Sequence, residues 1–195
     1  MAPLARKLAT YDDLLGLPNG LRAEVVRGQV VTSPAPLPQH SKIQRSLGGA
    51  IGGPFDDDPA GPGGWWIFLE VDVRFGAHDI LRPDLSGWRR ERLANPAELR
   101  PIDVTPDWVC EILSPSTAVR DRVEKRTIHA DAGVPFLWMV DPWVRTLEAF
   151  TLERGHWLLT GTFGESATAR IAPFDAIELP LSRLFLPRQE PPTGG

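Results

Sequence analysis

The sequence of 195 residues contains one cysteine, Cys110, and no long apolar run. A single cysteine cannot form an internal disulfide, and it excludes a zinc site built from several cysteines. No stretch is long and apolar enough to cross a bilayer. Residues 1–13 lack the apolar core and the cleavage signal of a secretory peptide. We therefore expect a cytoplasmic protein that does not act at a membrane.

Several common catalytic motifs are also missing. There is no Gly-x-Ser-x-Gly motif, and no strand is followed by a P-loop or by Gly-x-Gly-x-x-Gly. The four histidines show no spacing that suits zinc ligands. These absences argue against a serine hydrolase, a nucleotide-binding enzyme and a zinc enzyme.

The acidic charge balance argues against one further class of protein. The formal net charge is -4 and the pI is about 5.6, whereas a protein that coats nucleic acid passively is normally strongly basic. An enzyme that contacts DNA through a local patch remains open. The length fits one domain with an ordinary share of apolar residues. We expect this domain over residues 1–186 and a disordered tail over residues 187–195, where proline and glycine dominate.

The hydrophobic pattern predicts an α/β fold with a mixed β-sheet flanked by helices and additional antiparallel strands at the C-terminus. The predicted elements are a capped helix at 11–17, a hairpin at 22–32, a helix at 38–51, strands at 65–75, 85–88 and 108–113, a helix at 117–132 with Thr117 as its cap, a strand at 136–140, and antiparallel strands from 147 to about 179. Because a crossover helix joins the buried strands at 108–113 and 136–140, those two strands should be parallel.

Glu111 is the acid inside the apolar strand Trp108-Val-Cys-Glu-Ile-Leu113. Alternation along the strand places it on the same face as Val109 and Leu113. A carboxylate on a buried face is costly unless a partner compensates it. It could pair with an arginine on a neighbouring element, which the strand alone favours because buried acids usually have partners, or it could bind a metal.

Asp84 follows Arg82-Pro83 at the predicted start of a strand. Pro-Asp is also a common turn pair, and Pro106-Asp107 is a second example in this chain. However, Asp84 and Glu111 lie on consecutive predicted strands. Two carboxylates on adjacent strands can share a hard cation such as Mg²⁺.

Lys125, Glu24 and His40 each allow a structural and a functional interpretation. Asp121 and Lys125 are spaced i, i+4, which is typical of a salt bridge on a helix surface. Alternatively, Lys125 points at the metal site, where it orients or deprotonates a water or neutralises phosphorane charge. Glu24 and His40 are surface residues by default, but they could supply a further carboxylate and a phosphate or water contact.

Short motifs in a fixed order along the chain resemble those of a known family. They are Glu24-Val-Val-Arg-Gly28, His40 with Ile43 and Leu47, Pro83-Asp84-Leu85, Trp108-Val-Cys-Glu-Ile-Leu-Ser-Pro-Ser-Thr117, Asp121, Lys125, Gly133-Val-Pro and Trp138-Met-Val-Asp-Pro142. In order and spacing they resemble the Uma-type restriction endonuclease family of the PD-(D/E)XK nuclease superfamily. The resemblance extends from about residue 11 to residue 186.

The resemblance implies a restriction-endonuclease-like core and a nuclease mechanism that uses a divalent metal. Asp84 and Glu111 would hold Mg²⁺ or Mn²⁺, with Lys125 as the catalytic lysine and Glu24 as an accessory acid. The superfamily pattern has its lysine two residues after the second acid, where this chain has Leu113, and the family carries the lysine in the following helix.

Further site candidates come from the same comparison of motifs. The candidates for substrate binding are His40, Arg82 and Asp121. His129 is a departure, because the family usually has a tyrosine at that position.

We therefore expect a metal-dependent endonuclease that hydrolyses phosphodiester bonds in DNA. The alternative is a catalytically weak or inactive binding module on a nuclease fold, which the acidic pI and the lack of a lysine at position 113 favour. The presence of Asp84, Glu111 and Lys125 together favours the enzyme. An RNA-directed or structure-selective nuclease is a third option. Two symmetric sites cut a duplex most easily, so we expect a homodimer.

Overall fold

A computed structural model describes residues 7–18, 20–115 and 118–188. The helices within these ranges are α1 (Tyr11–Leu15), α2 (Pro38–Gly52), α3 (Ala118–Arg120) and α4 (Arg126–Asp131), with π-helical turns at Gly53–Asp57 and Asp121–Lys125 and 3-10 turns at Pro96–Glu98 and Leu181–Arg183. The predicted cap Thr117 and residues 189–195 of the predicted tail lie outside the described residues. In the described part of the chain, none of the helices has the length and apolar character needed to span a bilayer.

The strands form one large sheet, one smaller sheet and a short pair. They are β1 (Arg22–Val26), β2 (Gln29–Ser33), β3 (Trp65–Leu69), β4 (Val73–Gly76), β5 (Asp79–Leu81), β6 (Leu85–Arg89), β7 (Trp108–Ile112), β8 (Phe136–Asp141), β9 (Thr146–Glu153), β10 (His156–Gly164), β11 (Thr168–Ala169) and β12 (Leu179–Pro180).

The large sheet has the strand order β10-β9-β8-β7-β6-β3. The predicted parallel pair is confirmed, since β7 runs parallel to β8 with Glu111 opposite Met139. The other neighbouring strands of this sheet are antiparallel. The helical segment from Ala118 to Asp131 makes the crossover between β7 and β8. The mixed sheet, its flanking helices and the C-terminal antiparallel strands agree with the predicted architecture.

The smaller sheet has the order β2-β1-β5-β4 and carries Glu24 on β1. The predicted hairpin is confirmed: β1 and β2 pair antiparallel, and Val26 faces Gln29 across the turn. Both turn residues have positive φ, 47° at Arg27 and 74° at Gly28. Such a two-residue turn matches the twist of the strands that it joins.

The predicted single strand over residues 65–75 is wrong. β3 ends at Leu69, Glu70 adopts a φ of 51°, and the chain resumes as β4 at Val73 in the other sheet. The alternation of apolar residues continues across this break, because Ile67 and Val73 are buried in different strands. The alternation of apolar and polar residues therefore did not reveal that the chain passes from one sheet to the other.

The two faces of β7 contact different parts of the core. Trp108, Cys110 and Ile112 belong to the cluster that includes the buried face of α2, Ile43, Leu47 and Ile51. Val109 and Leu113 belong to a second apolar cluster with residues of β8 and β9. Glu111 projects on the face of this second cluster.

Candidate active site

A cleft of about 340 Å³ brings together residues from the smaller sheet, the large sheet and the helical segment that follows β7. Each predicted site residue lines it: Glu24, His40, Arg82, Asp84, Glu111, Asp121 and Lys125. These residues are widely spaced in sequence, so the cleft exists only once both sheets have packed against the helical segment. The sequence patterns therefore predicted a group of residues that the fold brings to one place.

Asp84 lies directly before β6 and is 8% exposed. Its Oδ2 atom accepts a hydrogen bond of 2.7 Å from the backbone N–H of Ile112 on β7. Its Oδ1 atom lies 3.0 Å from Nε2 of His40, in the first turn of α2. Two contacts from two elements hold the carboxylate in one orientation, and both oxygens keep lone pairs for a further partner.

Glu111 is 2% exposed and lies beside two groups of the helical segment. Its Oε1 atom is 3.0 Å from Nε2 of His129, and its Oε2 atom is 3.7 Å from Nζ of Lys125. Burial raises the pKa of Glu111 well above its ordinary value, although the charge of Lys125 acts in the opposite direction. The surroundings of Glu111 therefore lack enough positive charge to stabilise its ionised form fully.

Lys125 lies among three carboxylates and is 7% exposed. Its Nζ atom is 2.9 Å from Oε1 of Glu24 and 3.6 Å from Oδ1 of Asp121. Burial acts to lower the pKa of Lys125, but the combined effect of the neighbouring carboxylates is larger and opposite. The pKa of Lys125 therefore lies well above its ordinary value. These surroundings favour the charged ammonium form, which suits Lys125 to neutralising phosphate charge.

Asp121 and Lys125 form the i, i+4 salt bridge that their spacing predicts, at 3.6 Å, but the pair is buried and does not lie on a helix surface. Asp121 is 4% exposed, and both side chains face the cleft. The segment is π-helical here, with the N–H of Arg126 bonded to the carbonyl of Asp121. Such single π-helical turns occur frequently at functional sites. Asp121, Lys125 and His129 follow one another at intervals of four residues along the face that contacts Glu111.

His129 is a site residue that the sequence patterns did not assign. It is fully buried, and its ring meets that of Phe75 at an angle of 69° with the two ring centres 4.8 Å apart. Burial, with a smaller effect from Lys125, lowers the pKa of His129 to about 3, so the imidazole is neutral near pH 7. The contact of 3.0 Å between Nε2 and Oε1 of Glu111 fixes the direction of that carboxyl group. The signal that could have revealed this residue is its spacing of four residues from Lys125.

Glu24 and Arg82 connect the cleft to the smaller sheet. Oε1 of Glu24 accepts a hydrogen bond of 2.8 Å from the backbone N–H of Arg82, in addition to its contact with Lys125. The Arg82 guanidinium instead binds Asp72, with Nε 2.8 Å and Nη2 2.6 Å from Oδ1. If Arg82 contacts a substrate, its guanidinium must therefore bind the substrate and Asp72 at the same time.

The donor set fits a magnesium ion that keeps part of its own hydration. Across residues 7–18, 20–115 and 118–188, no three Asp, Glu, His or Cys side chains converge into a complete ligand set. Mg²⁺ typically binds one or two carboxylates and completes its octahedron with water and substrate phosphate. Asp84 and Glu111 would supply those two carboxylates, and the shortage of positive charge around Glu111 is consistent with such an ion.

Leu113 occupies the position at which the superfamily pattern has its lysine. It is 1% exposed and packs with Val109, Val134 and Leu137 in the second apolar cluster. An ammonium group at this position would be surrounded by apolar side chains and would be costly to bury. The cation beside Glu111 is instead Lys125 of the following helical segment, with its Nζ atom 3.7 Å from Oε2.

The mixed sheet with its flanking helices is a restriction-endonuclease-like α/β fold. A crystal structure from Anabaena variabilis, described as a "putative nuclease", shares this fold with a TM-score of 0.71 at 24% identity, covering 91% of this chain and 97% of the other. The chain belongs to the Uma2 family, described as "Putative restriction endonuclease", whose model matches residues 8–182. No curated protein matches the chain.

Proposed function

We propose that the protein is a metal-dependent endonuclease that hydrolyses phosphodiester bonds in DNA. Mg²⁺ or Mn²⁺ would be held by Asp84 and Glu111, and Lys125 would act on the substrate phosphate. The family description and the nuclease described for the Anabaena variabilis structure support nuclease activity. One observation carries the proposal most directly: Asp84, Glu111 and Lys125 come from three separate segments and line one cleft.

The two acids have distinct surroundings that suit their proposed work. Asp84 is oriented by His40 and by the backbone N–H of Ile112, whereas Glu111 is deeply buried and oriented by His129. Carboxylates that are fixed in this way need little reorganisation when they bind a cation. A bound divalent ion would supply Lewis-acid stabilisation of the phosphate and an activated water.

Lys125 would neutralise negative charge that develops on the phosphate during hydrolysis. Its ammonium group remains protonated because three carboxylates surround it. The contact of 2.9 Å with Glu24 holds that ammonium at the cleft and limits its rotamers. A positioned cation in a partly dehydrated site stabilises developing charge much more than it would in water.

Cleavage of a supercoiled plasmid tests this proposal. The reaction is measured with Mg²⁺ or Mn²⁺, with EDTA in a parallel sample, for the parent protein and for Glu111→Gln and Lys125→Met. Two matched controls are Glu124→Gln, an exposed acid of the same helical segment, and Lys7→Met, an exposed lysine. We expect metal-dependent cleavage that falls about 100-fold or more in the two site variants and stays unchanged in the controls.

The alternative outcomes separate the functional classes. Activity that survives Lys125→Met but not Glu111→Gln would leave a nuclease and remove the role of the lysine. A parent protein that cleaves neither DNA nor RNA but still binds one of them would be a binding module on a nuclease fold. The products also report on assembly, because a homodimer with two symmetric sites would produce linear plasmid directly, whereas a single site produces open circles first.

A further inference from the structure

Trp143 is a large aromatic side chain that remains 46% exposed at the edge of the cleft. It follows β8, which supplies Met139 as the neighbour of Glu111 in the sheet. The hydrolysis of a phosphodiester does not require an indole ring. Trp143 lines the same cleft as two acids and a lysine, and an exposed indole there offers a large flat apolar face to a ligand.

The turn that carries Trp143 is held by side-chain hydrogen bonds. Oδ1 of Asp141 accepts bonds from the backbone N–H groups of Trp143, at 2.9 Å, and Val144, at 3.2 Å. Arg122 lies 3.5 Å from the other oxygen of Asp141 and ties the turn to the helical segment that carries Lys125. The indole is therefore presented on a fixed backbone, which lowers the entropy lost when a ligand packs on it.

A second apolar stretch lines the same cleft between β2 and α2. It is Pro34-Ala-Pro-Leu37, in which the two prolines restrict the backbone and Leu37 is 50% exposed. The cleft thus combines charged groups, which suit a phosphate, with apolar and aromatic surface, which suits a planar base. A nucleotide has both of these properties.

We infer that the cleft takes an unpaired nucleotide, whose base stacks on Trp143 while its phosphate lies at Asp84, Glu111 and Lys125. The preferred substrate is then DNA with a single-stranded segment. This inference rests on the proposed nuclease function and names the substrate class of the same site.

Two physical arguments favour an unpaired base over a duplex. A base inside a duplex is covered on both faces by its neighbours, so an indole can stack on it only after it leaves the stack. The volume of about 340 Å³ also lies near the lower end of ligand clefts, at roughly 300–1,000 Å³. Such a cleft suits one nucleotide better than a base pair with its two backbones.

The test measures binding separately from cleavage. An end-labelled DNA oligonucleotide, single-stranded or annealed to its complement, is titrated with the full chain in Ca²⁺, and fluorescence anisotropy gives the Kd. The variants are Trp143→Ala, Trp143→Phe, which keeps an aromatic ring, and Val144→Ala as the matched control, since Val144 is 66% exposed in the same turn. Thermal unfolding of each variant verifies that it is folded.

We expect the parent protein to bind the single strand more tightly than the duplex. Trp143→Ala should weaken single-strand binding about tenfold, in line with the loss of one base–aromatic stack, and should change duplex binding much less. Trp143→Phe should restore most of the affinity, and Val144→Ala should bind like the parent protein.

The outcomes for this inference and for the nuclease proposal are distinguishable. Equal Kd values for single strand and duplex, or a Trp143→Ala variant that binds the single strand like the parent, would overturn the stacking inference even if plasmid is cleaved. Failure to bind either DNA would overturn it as well. The expected binding pattern without cleavage in any metal would leave the stacking inference supported and reject the nuclease.

Discussion

Nε2 of His40 lies 3.0 Å from Oδ1 of Asp84, so the first turn of α2 orients an acid that precedes β6. Nδ1 of the same ring is buried and has no hydrogen-bond partner among the described residues. The ring thus contributes one directed contact, and that contact is to a proposed metal ligand. His40 is therefore a positioning residue for Asp84, in addition to its predicted place beside the substrate.

Replacing His40 with alanine should weaken the metal site without abolishing it. Groups that orient a metal ligand typically contribute 10- to 100-fold in metal affinity or activity. We expect the Mg²⁺ concentration for half-maximal cleavage to rise about 10- to 100-fold, with much of the activity restored at high Mg²⁺. His156→Ala, at an exposed histidine of β10, is the control. Lost activity that no Mg²⁺ concentration restores would contradict a positioning role.

Divalent metal should stabilise the folded protein through Asp84 and Glu111. A ligand at 100 times its Kd adds about 2.7 kcal/mol to the free energy of unfolding, which corresponds to a Tm increase of about 5–10 °C for a chain of this size. The increase should disappear in Asp84→Asn and on addition of EDTA. Because burial raises the pKa of Glu111, protons compete with the metal, and the increase should become smaller as the pH falls. An equal increase in Asp84→Asn would place the metal elsewhere.

His129 should make the metal-free protein less stable in acid. The pKa of His129 is about 3 in the folded protein, whereas an unperturbed histidine has a pKa of about 6.5. Below pH 6.5 the imidazole therefore becomes protonated in the unfolded chain but stays neutral in the folded chain. This difference removes about 2–3 kcal/mol of stability by roughly pH 4.5. His129→Gln cannot take up that proton, so its stability should decline less over the same range.

Urea denaturation in EDTA at several pH values measures this difference. Glu111 is present in both proteins, so its own titration affects the two curves in the same direction. Stability curves for the parent and His129→Gln that run parallel from pH 6.5 downwards would show that His129 does not resist protonation.

A side chain at Gly87 on β6 would crowd the core. A Cβ atom there would lie 3.0 Å from Cδ1 of Ile67, 3.2 Å from Trp108 and 3.3 Å from Trp65. Overpacking of this kind costs about 1–3 kcal/mol, so Gly87→Ala should lower the Tm. Gly49 on α2 is the matched control, because a Cβ atom there meets nothing within 4 Å. Gly49→Ala should raise stability by about 0.5–1 kcal/mol; a Gly87→Ala variant as stable as this control would show that the core can adjust.

The sequence predicted the central strands well because their burial is nearly complete. β7 and β8 are short apolar runs separated by a helical segment, and that arrangement has essentially one favourable connection. The strand predicted over residues 65–75 failed for a different reason. Glu70 bends the chain through a positive φ, and no glycine or proline marks the position.

The sequence predicted which residues line the candidate site, but it did not predict which of them contact one another. Acids on neighbouring strands suggested that Asp84 and Glu111 would meet, and the fold brings both to one cleft. The partners of these acids depend on distances that a sequence does not contain. The position of His129 beside Glu111, the burial of Lys125 and the link from Arg82 to Asp72 all arise from the packing of the helical segment and the smaller sheet.

The order in which the site residues occur along the chain has a consequence for biosynthesis. Glu24 and Asp84 leave the ribosome well before Lys125, and the ammonium group that completes the cleft belongs to the segment after β7. A nascent chain that has not yet reached Lys125 holds acids without their cation. The proposed active site therefore cannot be complete before the ribosome has passed Lys125.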